Sequence, residues 1–210
     1  MPHSISLGSP SHRTPSRINA PVIKGTRRTA REKVMQLLAA QEVSDVHWRE
    51  NFPYVFYHEY RVDDAEQPNR LLTEEEREYL EADAVIEWDE DTKHFALDLL
   101  EKTELHTHEA LALIEKFSQN WELGRLAHID RIVLTVAITE LIAFPEIPTK
   151  VSINEAIEIV KKYSTEKSGM FVNGILDSAL EELRHQGKIN KTGRGLLDTP
   201  LPKSRNSDSH

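Results

Sequence analysis

Arg27, Arg28 and Arg31 are the side chains of this sequence best suited to chemistry on an anion. A guanidinium grips phosphate through two parallel hydrogen bonds. At the start of a helix it also stands beside free backbone N–H groups that favour anions. Cations at that end oppose the helix macrodipole, so these arginines add nothing to local stability. Residues placed against local preference are candidates for function; the plainer reading is that they solubilise the junction with an unstructured arm. A second cationic group, Lys161, Lys162 and Lys167, runs up to Phe171 and Asn173. Basic groups with an aromatic face and an amide can hold a single-stranded base by stacking and edge hydrogen bonds. Phe171 also falls at core spacing with Ile175, which favours a place in the interior.

Other chemistry is scarce. The sequence has no P-loop, GxGxxG, GxSxG or HExxH pattern, so neither a catalytic constellation nor a cofactor is expected. His106 and His108 sit two apart, which points them to different faces of a helix, and no metal site is expected there. The absence of cysteine excludes disulfides and thiolate chemistry. No apolar run approaches the roughly 20 residues of a membrane span, and Met1 to Gly25 lacks the apolar core of a secretory signal. A cytoplasmic protein without membrane contact is the expectation.

The net charge of −9 conceals a strong asymmetry. From Arg13 to Lys33 seven basic residues face the single acid Glu32, whereas Glu59 to Asp91 is dominated by acids such as Asp63, Asp64, Glu74, Glu75 and Glu76. A polyanion is drawn to the ends of the chain and repelled by its middle.

The elements that must position these groups read as helices. Thr29 with Glu32 fits a capping box opening the first helix, with Leu37 and Leu38 at the centre of its apolar face. The aromatic-rich segment 45–70 reads as a loop or short helix that packs Phe52, Tyr54, Phe56, Tyr57 and Tyr60. Thr73 with Glu76 forms a second capping box. A long helix is expected from about Asp91 to Asn120, with a break near Thr107. The segment 128–144 is apolar around much of its circumference and belongs at the centre of a bundle. Pro145 and Pro148 end it, and Ser152 with Glu155 forms a third capping box. The last helix runs from about Ser168 to His185, through Asn173-Gly174, with Gly187 as its stop. Composition marks 1–25 as a disordered basic arm and 187–210 as a disordered tail. A helical domain lies between, 26–186.

Residues 120–183 carry a resemblance. Ile129-Asp130-Arg131, the turn from Pro148 to Val151, Ile153-Asn154-Glu155-Ala156-Ile157 and Phe171-Val172-Asn173-Gly174-Ile175-Leu176-Asp177, in this order, resemble the NusB family. Arg27-Arg28 and Ala30-Arg31-Glu32 extend the likeness toward the N-terminus. The resemblance implies an all-α fold, a NusB-like helical bundle of two small helical subdomains, an N-terminal one (26–119, with the acidic insertion) and a C-terminal one (120–186). It implies a non-enzymatic transcription antitermination factor that binds the boxA RNA of ribosomal leader transcripts. Its implied partners are NusE, a small-subunit ribosomal protein, and the antitermination complex on RNA polymerase. By position, it implies RNA contacts from Arg27, Arg28, Arg31, Lys167, Phe171 and Asn173, and a NusE contact from Asp130.

Three positions depart from the family pattern: Ala39 where an aromatic is common, Met170 where Lys occurs, and Lys167 where an acid is common. Those at Ala39 and Met170 motivate an alternative, a helical module that binds NusE without specific RNA recognition, whereas Lys167 compensates electrostatically.

Overall fold

Helix α1 (Arg27–Ser44) begins one residue after its N-cap, Thr26, whose extended backbone lets its hydroxyl accept the Thr29 N–H at 3.2 Å. The cap is therefore Thr26 and not the expected Thr29, which lies inside the first turn. Glu32 does not reach back either, because it is engaged across the molecule with Lys162 and Tyr163. The approach to the cap is fixed by Gly25, where a Cβ would stand 2.2 Å from the Trp88 ring. Only glycine permits that contact.

The computed structural model describes residues 22–57, 85–118, 127–165 and 167–198. The expected capping box at Thr73 and Glu76 lies outside them. Helices follow α1 in the order α2 (Trp48–Phe56), α3 (Glu90–Ser118), α4 (His128–Ala143), α5 (Thr149–Tyr163) and α6 (Ser168–His185). In α2 the rings of Phe52 and Phe56 stack at 4.6 Å and Phe56 continues to Trp88 at 4.7 Å. Tyr54 and Tyr57 are exposed instead, so the aromatic segment buries only part of its rings. Tyr60 lies outside the described residues.

Helix α3 runs through Thr107 without the expected break. The hydroxyls of Thr103 and Thr107 donate to the carbonyls of Leu99 and Thr103, each at 2.6 Å. These bonds to the preceding turn satisfy both hydroxyls within the helix. Helix α4 is central: it packs against α1, α3, α5 and α6. Ile132, Val133, Leu134, Val136, Ile138 and Leu141 are all buried, and each full burial contributes about 1.5–3 kcal/mol. Helix α6 passes straight through Asn173-Gly174. It ends at Gly187, whose φ of +67° suits glycine. The Gly187 and Lys188 N–H groups donate to the carbonyls of Arg184 and Leu183, a Schellman arrangement.

The third expected capping box does not form. Helix α5 starts at Thr149 after Pro148, so Ser152 and Glu155 lie inside it and both turn to other partners. Beyond Gly187 the chain continues against the bundle as far as a 3-10 turn at Gly193–Asp198. Lys191 is buried there, with Nζ 3.0 Å from the Phe144 carbonyl and 3.4 Å from that of Glu140. Its charge meets the negative end of α4.

The described residues fall into two units. The six helices form one of them. The other contains, among the described residues, strands β1 (Val22–Lys24) and β2 (Val85–Glu87), paired in parallel with Lys24 opposite Glu87. This short ladder lies where the composition suggests only an arm and an insertion.

Candidate nucleic-acid interface

The three arginines of α1 have three different environments. Arg27 is exposed, with its guanidinium 5.0 Å above the Phe95 ring. Arg28 points outward with its side chain 58% exposed and forms a bidentate pair with Glu155 of α5. Its Nε donates at 2.9 Å and its NH2 at 2.7 Å. The hydrogen bond and charge of Glu155 raise the Arg28 pKa above its ordinary value.

Arg31 is buried. Its Nε and NH2 donate to the two Glu140 oxygens at 2.7 and 2.9 Å, and Ser152 Oγ donates to Glu140 Oε1 at 2.6 Å. Its guanidinium also covers the Phe95 ring at 5.0 Å. The resemblance puts Arg31 in contact with RNA, but the fold uses this side chain internally. A carboxylate inside an apolar helix bundle must be paired, and Arg31 is its cation.

One turn beyond Arg28, Glu32 accepts from Lys162 Nζ at 3.3 Å and from Tyr163 Oη at 3.1 Å. Gln36 in turn donates to Tyr163 Oη at 3.1 Å. Burial, followed by the Glu32 charge, raises the Tyr163 pKa. Lys33 is half-buried, and that burial lowers its pKa. Long polar side chains thus bridge α1 and α5 at residues 28, 32 and 36, one helical turn apart.

On the other side of α5, the aliphatic stem of Lys161 lies within 3.8 Å of where a Gly169 Cβ would stand, at the start of α6. The Lys161 Nζ pairs with Glu158 at 2.8 Å. Lys167 is exposed at the N-cap position of α6. Asn173 donates to Asp177 Oδ2 at 3.0 Å. Phe171 is buried, at 6% exposure, and packs in the core, so the expected stacking face is not on the surface. Its helical spacing with Ile175 puts both on the inward stripe of α6. Met170, exposed at 72%, is the outward residue beside it.

Asp130 is buried in the first turn of α4, and its Oδ1 has no hydrogen-bond partner among the described residues. The positive end of the helix dipole favours a carboxylate there. This placement does not offer it to a partner surface. Among the described residues no group of His, Asp and Glu could hold a metal ion, and His106 faces Glu109 at 3.3 Å. No described helix is long and apolar enough to cross a membrane.

The sequence reading missed Glu140 and Glu155 as partners of the arginines. A lone Glu140 in the apolar run of α4 is a usable signal, because a buried acid calls for a cation. Glu155 carried a false one, since its spacing from Ser152 fits a capping box.

The arrangement is that of a small helical protein with ion pairs between α1 and α5, and with Arg27 and Lys167 exposed at the starts of α1 and α6. The NusB family model matches residues 28–181, and the chain belongs to the NusB family. Membership makes it a transcription antitermination factor and not an enzyme. Transcription antitermination protein NusB of Salinibacter ruber (strain DSM 13855 / M31) is 42% identical over 172 residues, 82% of this chain and 91% of that protein. Its namesake from Chloroherpeton thalassium (strain ATCC 35110 / GB-78) is 52% identical over 92 residues, 44% of each chain. The T. maritima NusB structure superimposes with a TM-score of 0.54 at 30% identity, covering 76% of this chain and 94% of that one. A structure of antitermination factors NusB and NusE in complex with dsRNA has a TM-score of 0.53 at 22% identity, over 74% and 96% of the two chains. That last likeness concerns the fold alone.

Proposed function

We propose that this protein binds the boxA element of ribosomal RNA leader transcripts together with NusE, within an antitermination complex on RNA polymerase in the cytoplasm. The observation that carries the reading is the exposed pair Arg27 and Arg28 at the start of α1, with Lys167 also exposed at the start of α6. Guanidinium groups in such a setting suit phosphates, and lysines along the path add sequence-independent attraction. A solved relative that carries both NusE and RNA supports the choice of ligands. On an acidic protein these exposed cations also limit where a polyanion can settle.

Titration of boxA-like single-stranded RNA, with and without NusE, tests the proposal. Specific binding strengthened by NusE is expected. Replacing Arg27 and Arg28 together by Ala weakens it and lowers the salt slope by about 0.7 for each phosphate no longer neutralised. Equal, weak binding of boxA and scrambled RNA, with or without NusE, would sink the reading.

A second reading is a module that binds NusE without RNA discrimination. The burial of Arg31 and Phe171 favours it, because two of the RNA-facing side chains implied by family position then point inward. A stable NusE complex indifferent to RNA sequence would establish it in the same titration.

A further inference from the structure

Glu155 stands between two arginines. It accepts both hydrogen bonds of the Arg28 fork, and its Oε2 lies 4.0 Å from Arg31 NH1. Arg31 is itself fixed by both oxygens of Glu140. The Glu155 side chain is only 13% exposed, whereas that of Arg28 is 58% exposed. The carboxylate is thus held from below, and the guanidinium above it faces solvent.

The fork uses the Nε–H of Arg28 and one hydrogen of NH2. A guanidinium carries five N–H donors in one plane, so the NH1 edge and the outer NH2 hydrogen remain available. A long side chain loses rotamer freedom when it grips a ligand. Arg28 has already lost much of that freedom in the free protein, because two bonds fix its plane.

We propose that Glu155 is a positioning residue for phosphate recognition, holding Arg28 so that its outer edge meets an RNA phosphate. The proposal rests on the RNA-binding reading of α1. It runs against the electrostatic expectation for the same site. A carboxylate beside a polyanion surface repels the ligand, so a purely repulsive Glu155 predicts tighter binding once its charge is gone. Positioning predicts the opposite sign. Glutamine at 155 is nearly isosteric, but its amide offers one acceptor and opposes the second Arg28 donor with an N–H group. The fork cannot survive that exchange.

The experiment compares the full chain with Glu155→Gln, Arg28→Ala and the double variant, using a boxA-like RNA oligonucleotide in the presence of NusE. Glu155→Gln is expected to bind about three- to tenfold more weakly than the parent. In the Arg28→Ala background the same change should no longer weaken binding, since the positioning acts through Arg28. Unchanged or tighter binding by Glu155→Gln would overturn the proposal, as would losses that simply add. Failure of the RNA reading itself shows separately, as an Arg28→Ala variant that binds RNA like the parent. If Glu155→Gln melts well below the parent, Glu155→Asp provides the comparison. It keeps the charge but withdraws the carboxylate by one methylene, so positioning predicts weaker binding and repulsion predicts no change.

Discussion

Two arginine–glutamate forks lie three residues apart on α1 and share nearly the same geometry. Arg31 meets Glu140 at 2.7 and 2.9 Å, and Arg28 meets Glu155 at 2.9 and 2.7 Å. Their surroundings separate them. The first pair is 7% and 1% exposed on its two sides, the second 58% and 13%. Water screens the outer pair and leaves its cation approachable, whereas the inner pair has surrendered its hydration and depends on its partners. Identical chemistry is therefore sealed in the core at one site and leaves its cation open to solvent at the other. Depth in the bundle decides which.

The largest expected effect breaks the inner fork. Arg31→Ala leaves the Glu140 carboxylate buried with Ser152 as its remaining side-chain donor. Removing one partner of a buried pair costs about 3–5 kcal/mol. Chemical denaturation of the variant should show a loss of that order, against about 1 kcal/mol or less for Arg28→Ala. Replacing both inner partners by apolar residues, Arg31→Met with Glu140→Leu, should recover most of the loss. Equal losses for Arg31→Ala and Arg28→Ala would dissolve the comparison.

A smaller effect is expected where the tail returns to the same helix. Lys191→Met keeps the aliphatic stem but removes the charge from the carbonyls of Glu140 and Phe144. Each carbonyl keeps one backbone donor, the Phe144 N–H for Glu140 and the Ile147 N–H for Phe144, so loss of the second donor and of the helix-end cation should cost about 1 kcal/mol in a denaturant titration. A variant as stable as the parent would mean that this segment adds nothing to the bundle.

Much of this frame was legible in the sequence, and the reasons are local. The apolar circumference of 128–144 requires a central helix whatever surrounds it, and α4 occupies that place. The range of α6, including passage through Asn173-Gly174, follows from the spacing of Val172, Ile175, Leu176 and Ala179. Partners were less legible. A Ser followed three residues later by Glu fits a capping box, yet the same spacing occurs on one face inside any helix. Only the opposing elements, Glu140 for Ser152 and Arg28 for Glu155, decide between the two. Composition also gave no sign of Lys191 against α4, because burial of a single lysine in a polar tail leaves no periodic trace. For the site, the exposed Arg27 and Arg28 and the inward Phe171, at core spacing with Ile175, were readable, but the inward turn of Arg31 depends on helix phase against neighbours.

The smallest effect sharpens the exposed side of the comparison. Glu109 of α3 pairs with Lys188, just past α6, and also faces His106. The Lys188 hydrogen bond holds the Glu109 pKa below its ordinary value, with His106 adding in the same direction. A carboxylate whose folded pKa is depressed contributes stability above its unfolded pKa, and this is lost as pH falls through the folded value. The difference in stability between the parent and Glu109→Gln should therefore be constant near neutrality and shrink below about pH 4.3. Its size should stay in the range of exposed pairs, about 0.5 kcal/mol. Raising the salt concentration should reduce it further, because exposed charges are screened. The inner fork should respond far less to salt, since bulk ions do not reach Glu140. A salt response equal for Glu109→Gln and Arg31→Ala would show that depth does not govern these pairs.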